Sequence, residues 1–109
     1  MHTTNQYLNA CADTWANCES LLLTLSLTQC SFSKRTMQVL DECANVCLGT
    51  MEAVKDGCKE LSQLALLCVG LCEECAEICE RYSDGQFQHC AQVCKRCSAT
   101  LSHLAAEAA

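Results

Sequence analysis

Hydrophobic positions recur along most of the chain at alternating spacings of three and four residues. Residues at these spacings share one face of an α-helix, so each run predicts a helix with one inner seam, meaning a line of inward-facing side chains. Turn signals interrupt the pattern at residues 29–33, at Asp56-Gly57 and at Ser83-Asp84-Gly85. The pattern predicts helices over residues 4–28, 34–55, 58–82 and 86–105, and Asp84 is the predicted N-cap of the last one.

Four amphipathic helices joined by short turns predict an all-α fold, an antiparallel up-and-down four-helix bundle forming a single domain over residues 1–109. No segment shows the alternation typical of a β-strand. In an up-and-down bundle the turns at 29–33 and 83–85 share one end, which we call the upper end. The resulting register sets cysteines of helices 3 and 4 level in pairs: Cys79 with Cys90, Cys75 with Cys94, and Cys72 with Cys97.

Cysteine fills positions of the inner seams where leucine is usual, and the chain has 13 cysteines in 109 residues. Helix 3 shows this most clearly, with Cys68, Cys72, Cys75 and Cys79 at spacings of four, three and four. One or two such residues would be ordinary core fillers. Replacing leucine by cysteine throughout a core sacrifices about 1 kcal/mol of apolar burial per site, so we interpret the inner cysteines as metal ligands. They make the predicted core a cysteine-lined one.

Helix 1 and the lower end of the bundle have more mixed seams. The predicted seam of helix 1 is Leu8, Cys11, Trp15, Cys18, Leu22 and Leu25. Below the level of Cys68 the predicted core is apolar, with Leu61, Ala65, Leu101, Leu104 and Val54. The thiols are therefore expected in one half of the bundle, above an apolar half.

Charge and cysteine usage restrict the partners and the compartment. The net charge of −6 argues against nucleic acid and anionic membranes as partners. No run of about 18 apolar residues predicts a membrane span. The first Lys or Arg is Lys34, so the N-terminus lacks a basic secretory region, and the odd number of clustered thiols is unlike a disulfide framework. A cytoplasmic protein with reduced thiols is expected.

Thiolates select soft ions, namely Cu(I), Zn(II) or the iron of iron–sulfur clusters. Structural zinc sites are discrete tetrahedra, and iron–sulfur clusters are often held by cysteines on loops. Cu(I) accepts two or three thiolates, and each thiolate can bridge two ions, so a continuous row of thiols favours multiple Cu(I) ions per chain. A zinc or other thiophilic-metal buffer and a thiol-redox protein remain alternatives.

No catalytic residues are predicted, because the two C-x-x-C pairs lack the βαβ context of a redox motif and no histidine has an evident acid–base partner. The candidate metal ligands are Cys11, Cys18, Cys43, Cys47, Cys58, Cys68, Cys72, Cys75, Cys79, Cys90, Cys94 and Cys97. Cys30, Met37 and His89 are candidates for a metal entry point at the upper end.

Several motifs together resemble one known family. They are Cys43-Ala-Asn-Val-Cys47, the Cys68–Cys79 row, the turn Tyr82-Ser-Asp-Gly85, and His89-Cys90-Ala-Gln-Val-Cys94-Lys-Arg-Cys97. From about residue 36 onward the chain resembles the cytosolic branch of the four-helix-bundle copper storage proteins. The resemblance implies a core that stores many Cu(I) ions, loaded from one end by a copper donor of unknown identity. It also implies a cytosolic homo-oligomer, a dimer or tetramer. Trp15 stands where a relative would often carry another cysteine.

Overall fold

A computed structural model describes residues 4–27 and 34–107 of the chain. Its elements are α1 (Thr4–Leu27), α2 (Lys34–Asp56), α3 (Leu61–Cys79) and α4 (Gly85–Ala106). Each helix packs against the next and α4 packs back against α1, which gives a closed bundle of 42 × 21 × 20 Å. The predicted all-α four-helix bundle with a cysteine-lined core is confirmed. No helix in the described ranges has both the length and the apolar character needed to cross a bilayer.

The connection from α2 to α3 turns at Gly57, whose φ of +66° lies in the left-handed region that favours glycine. The Cys58 N–H donates to the Ala53 carbonyl at 3.1 Å, the bond that closes a Schellman motif. The chain then makes a further short turn before α3 begins at Leu61. Helix 3 thus begins three residues later than predicted and ends at Cys79, before the predicted residue 82. Cys58 lies in the connection as a result, outside the helix.

The connection from α3 to α4 holds the two cysteine-rich helices together at the upper end. The Asp84 carboxylate accepts a hydrogen bond from the Gln86 N–H at 2.8 Å, which confirms Asp84 as the N-cap of α4. The Tyr82 and Phe87 rings stack with centroids 4.2 Å apart. Tyr82 also shares a 2.8 Å hydrogen bond with Thr36 of α2. These contacts fix the position of α4 along the axis of α3, and therefore determine which cysteines of the two helices lie next to each other.

The inner seam of α1 differs from the predicted one. The buried residues of α1 are Cys11, Thr14, Cys18, Leu21 and Leu25. The prediction that Trp15 and Leu22 occupy the seam is wrong, since both are only partly buried against the core. Between Cys11 and Cys18 a seam can step by three and then four residues, or by four and then three, and the larger apolar side chain favoured Trp15. Thr14 can be buried because its hydroxyl donates to the Ala10 carbonyl at 2.9 Å.

Apolar layers lie at both ends of the core. At the lower end Ala65 and Leu101 are fully buried, while Leu104 is partly buried. At the upper end the buried side chains include Leu25 and Phe87. The predicted seam of helix 1 includes Leu25, but the prediction that the thiols fill the upper half is wrong: they occupy the centre of the bundle, between two apolar ends.

Leu101→Ala should destabilise the reduced, metal-free protein by about 2–5 kcal/mol, because it opens a cavity in the lower apolar layer. Leu23, which is 61% exposed, provides a matched control, and Leu23→Ala should leave the free energy of unfolding nearly unchanged. Urea unfolding followed by circular dichroism measures both. Equal losses for the two variants would contradict this description of the core.

Candidate metal centre

Eleven of the twelve cysteines in the described ranges are buried, and none of these eleven is more than 1% exposed. They come from all four helices, and α3 supplies the most. The buried set is Cys11, Cys18, Cys43, Cys47, Cys68, Cys72, Cys75, Cys79, Cys90, Cys94 and Cys97. We call these eleven residues the thiol network.

Three groups within the network have all their sulfur atoms within 4.8 Å of one another. They are Cys18, Cys43, Cys75 and Cys94 (the middle group); Cys47, Cys68, Cys72 and Cys97 (the lower group); and Cys75, Cys79 and Cys90 (the upper group). The middle group takes one cysteine from each helix. Each of the three cysteine pairs that the sequence placed level between helices 3 and 4 falls within one group, so that register is confirmed.

The groups are connected to one another. Cys75 belongs to both the middle and the upper group. The Cys43 and Cys72 sulfurs, 3.8 Å apart, join the middle group to the lower one. Cys11, fully buried in α1, extends the network at its lower end, where it interacts with the Cys68 and Cys97 thiols. The buried thiols therefore form one continuous array, unlike a set of separate sites.

The distances between neighbouring sulfurs suit metal coordination. They are 3.6 Å for Cys47–Cys68, 3.9 Å for Cys68–Cys72 and 4.0 Å for Cys75–Cys79. A metal–thiolate bond of about 2.3 Å places sulfurs about 3.8 Å apart in a tetrahedral site and about 4.0 Å apart in a trigonal one. All twelve described cysteines are free thiols. Small adjustments of side-chain rotamers would suffice to place ions between them.

The surroundings of the sulfurs are poor in other ligands and in charge. The three groups contain neither carboxylate nor histidine. The fully buried hydroxyls of Thr14 and Thr50 donate to carbonyls of their own helices, at 2.9 and 2.7 Å. No lysine or arginine is among the buried residues of the described ranges. Among the described residues the three groups offer only soft sulfur ligands, and no buried side chain supplies the positive charge that several thiolates would need.

The remaining predicted site residues lie elsewhere. Cys58 is half-buried in the α2–α3 connection, outside the three groups, and its thiol donates to the Glu60 carboxylate at 3.0 Å. Met37 is partly buried against the upper part of the core. His89 is exposed and lines a cavity of about 270 Å³ between α1 and α4. Cys30 lies outside the described residues.

Neighbouring thiols change one another's pKa values. Hydrogen bonds with neighbouring thiols, followed by burial, raise the pKa above its usual value at Cys11, Cys18, Cys47, Cys72 and Cys79. The pKa of Cys94 is also raised, although its hydrogen bonds act in both directions. Hydrogen bonds from Cys11 and Cys47 lower the pKa of Cys68 to about 5. Hydrogen bonds from neighbouring thiols likewise lower the pKa at Cys43, Cys90 and Cys97. Six of these ten pKa shifts are upward, so hydrogen bonding and burial favour the protonated form at the majority of these thiols.

The reduced, metal-free protein should lose stability as the pH rises above 9. A thiol whose pKa is raised on folding contributes stability that is complete below its unfolded value, 9.0, and is lost above it. The thiols with lowered pKa values are ionised in both states above pH 9 and add no further dependence there. Each raised thiol contributes a slope of up to about 1.4 kcal/mol per pH unit. Urea unfolding at increasing pH under reducing conditions measures this slope. Cys72→Ser removes one of the raised thiols, so it should reduce the slope by about 1.4 kcal/mol per pH unit. A free energy of unfolding that stays constant above pH 9 would contradict the raised pKa values of these thiols.

Comparison with known families gives an independent result. The family model described as Csp, copper storage protein, matches residues 1–106. No curated protein and no solved structure matches the chain. The match covers nearly the whole sequence, including the helices that carry the thiol network. The chain belongs to the copper storage protein family.

Proposed function

We propose that this chain stores copper in the cytoplasm as Cu(I), with several ions bound along the thiol network. The continuity of the network carries the proposal, since Cys75 is shared by two groups and Cys43 contacts a third. A thiolate that bridges two ions must belong to two neighbouring groups of ligands, as Cys75 does. Cu(I) binds two or three thiolates, and each thiolate can bridge two Cu(I) ions. The proposed ligands are the eleven cysteines of the thiol network.

Charge balance favours Cu(I) over zinc in this core. Two Zn²⁺ ions held by the eight thiolates of the middle and lower groups would leave a net charge of −4. No buried lysine or arginine of the described ranges offsets that charge, and uncompensated charge in an apolar interior is costly. One Cu(I) per thiolate instead leaves the core neutral. A core filled with monovalent ions therefore carries little net charge even at high loading, which suits its apolar surroundings.

Storage also requires that the protein remains folded while ions enter and leave. The apolar layers at both ends of the bundle and the Asp84 cap do not depend on metal. The framework can therefore stay folded when empty, while bound copper stabilises it further. Binding and release without chemical turnover is the function that such a framework supports.

The upper end is the proposed region of copper entry. His89 follows the α4 cap by a few residues and adjoins Cys90, one of two network cysteines with measurable exposure. Met37 contacts the same part of the core. An imidazole and a thioether are both acceptable ligands for Cu(I), so they can pass an ion from a copper donor to the upper group.

Free thiols at this density support a reducing compartment. Neighbouring sulfurs lie 3.6–4.0 Å apart, so oxidation would need only modest movement to join them. The proposed cytoplasmic location keeps the ligands reduced.

Anaerobic titration of the reduced protein with a Cu(I)–chelator complex should show about one tightly bound Cu(I) per network thiol. Each ion should displace protons from the thiols whose pKa is raised, which a pH indicator in weak buffer would record. Fewer than about four Cu(I) per chain would overturn the storage proposal. Zinc that keeps its place against Cu(I) would favour a zinc buffer, and turnover of a disulfide substrate would favour a thiol-redox protein.

Two serine substitutions make a matched pair for this titration. Cys72→Ser removes a sulfur that contacts Cys43, Cys47 and Cys68, and should lower the capacity by one or more ions. Cys58→Ser removes the half-buried thiol outside the groups and should leave the capacity unchanged. Equal losses would show that Cys58 binds copper as well.

We also propose that the chain forms a homo-oligomer through α3. Leu66 and Leu67 are 47% and 54% exposed and line an open cavity of about 480 Å³ with Leu71. An apolar surface of this kind is typical of protein interfaces. The double variant Leu66→Asp, Leu67→Asp should be monomeric in analytical ultracentrifugation, where the parent sediments as a dimer or tetramer. The exposed pair Ala16→Asp, Ala99→Asp is the control and should keep the parental state. A monomeric parent protein would overturn the proposal.

A further inference from the structure

The thiol network approaches the surface along the contact between α1 and α4. Among its eleven members only Cys90 and Cys97 retain any exposure, 1% each. Cys97 forms part of the wall of a cavity of about 220 Å³ that lies between these two helices. This volume corresponds to about seven water molecules, roughly the size of a free amino acid. A small solute in the cavity would therefore lie next to Cys97, the member of the lower group nearest this surface, and a small movement of the Cys97 side chain would bring its sulfur to the solute.

Two opposite charges flank this cavity. Asp13 of α1 and Arg96 of α4 both line it. The ion pairs found in the described part of the chain involve Arg35, Arg81 and Lys95, and neither Asp13 nor Arg96 has an ion-pair partner there. Although they share one cavity, the two side chains do not pair with each other. Two opposite charges that line one cavity and lack an ion-pair partner in the described part of the chain suit a ligand that carries both an ammonium and a carboxylate group.

The other polar walls support the same kind of ligand. The side-chain amides of Gln6 and Asn9 and the hydroxyl of Thr100 line the cavity beside the two charges. Amides and hydroxyls both donate and accept hydrogen bonds, so they can form additional hydrogen bonds with the carboxylate or the ammonium group of a ligand. The cavity beside His89 lacks this arrangement, since its walls include Asn17, Ser20 and Gln86 but no carboxylate, lysine or arginine.

We propose that the α1–α4 cavity binds a small zwitterionic thiol of amino-acid size, which removes copper from Cys97. Its ammonium group pairs with the Asp13 carboxylate, its carboxylate with the Arg96 guanidinium, and its sulfur points to Cys97. This inference rests on the proposed function for its copper step. It gives the stored metal a route of release distinct from the proposed entry at the upper end.

The copper step is a ligand exchange without oxidation or reduction. The bound thiol loses its proton, and its sulfur forms a bond to the Cu(I) held by Cys97. The bond between copper and the Cys97 sulfur breaks, and Cys97 takes up one proton. This first exchange leaves the copper bound to the small thiolate and to its remaining network sulfurs. A second small thiol displaces those sulfurs in the same way, and each displaced sulfur takes up one proton from an incoming thiol or from water. The products are a Cu(I) complex with two small thiolates and free network thiols, Cys97 among them. Cys97 is suited to this role because its sulfur lies within 4.8 Å of those of Cys47, Cys68 and Cys72, so a copper ion held by these neighbours can move to Cys97 after the first ion leaves.

Rates of copper removal from the loaded protein test the proposal, with three thiols as probes. L-Cysteine carries both charged groups, cysteamine lacks the carboxylate, and 3-mercaptopropionate lacks the ammonium. The rate with L-cysteine should saturate with concentration. Arg96→Gln should slow L-cysteine and 3-mercaptopropionate on the order of fivefold to tenfold and leave cysteamine unchanged. Asp13→Asn should slow L-cysteine and cysteamine by a similar factor and leave 3-mercaptopropionate unchanged.

Arg81→Gln and Asp41→Asn make the same charge changes at exposed positions that do not line the cavity, and they should alter none of the three rates. Equal effects of Arg96→Gln on all three probes would show a general effect of surface charge and overturn the proposal. Unchanged rates in both cavity variants would overturn it as well.

A metal-free measurement separates this inference from the proposed function. S-Methyl-L-cysteine has both charges and no free thiol, so it should bind the reduced apo protein without reacting, with a Kd on the order of 1 mM. Its binding should shift the amide NMR signals of Asp13, Val93, Arg96 and Thr100, and Arg96→Gln should abolish the shifts. Absence of these shifts in a protein that binds Cu(I) would overturn this inference alone. A protein that shows the shifts but binds no Cu(I) would overturn the proposed function and the copper step.

Discussion

Ionised thiols cannot be crowded into a dry interior without positive charge among them, and this constraint organises the molecule. Eleven thiols lie within a bundle whose described core contains no lysine, arginine or carboxylate. Protons neutralise most of them in the absence of metal, as the raised pKa values of six thiols indicate. Metal ions can replace those protons one for one when they are monovalent. Metal binding in the core would thereby be coupled to proton release and to the charge of the ion.

The same constraint explains where the ordinary stabilising interactions lie. A core of protonated thiols buries less apolar surface than a leucine core, so other parts of the molecule have to hold the helices in place. Leu101 and its neighbours do this at the lower end, and Phe87 stacked on Tyr82 does it at the upper end. The Schellman turn at Gly57 and the Asp84 cap set the helix ends. The central region is left free to serve as a binding region.

Much of the fold and of the thiol network is predictable because helical periodicity is a local property of the sequence. The Cys68–Cys79 row and the α3–α4 turn were sufficient to set which cysteines of the two helices meet. The α1 seam was not predictable in this way, because Cys11 and Cys18 allow either Thr14 or Trp15 between them. Thr14 is buried because its hydroxyl donates to a carbonyl of its own helix, and a pattern of hydrophobic residues cannot predict the burial of a polar side chain of this kind. The position of Cys58 depends on the turn that follows Gly57, and the cavity flanked by Asp13 and Arg96 depends on how α1 and α4 pack.

The middle group, with one sulfur from each helix, has a topological consequence. Cu(I) ions that share these four sulfurs would together cross-link four segments that are far apart in the sequence, closing up to three chain loops. Cross-links that close long loops lower the entropy of the unfolded chain, as disulfides do in the chain-entropy model. Unlike a disulfide, this cross-link opens by exchange of ligands and needs no reductant. Bound copper would thus stabilise the folded protein reversibly, and the stabilisation would be largest when all sites are occupied.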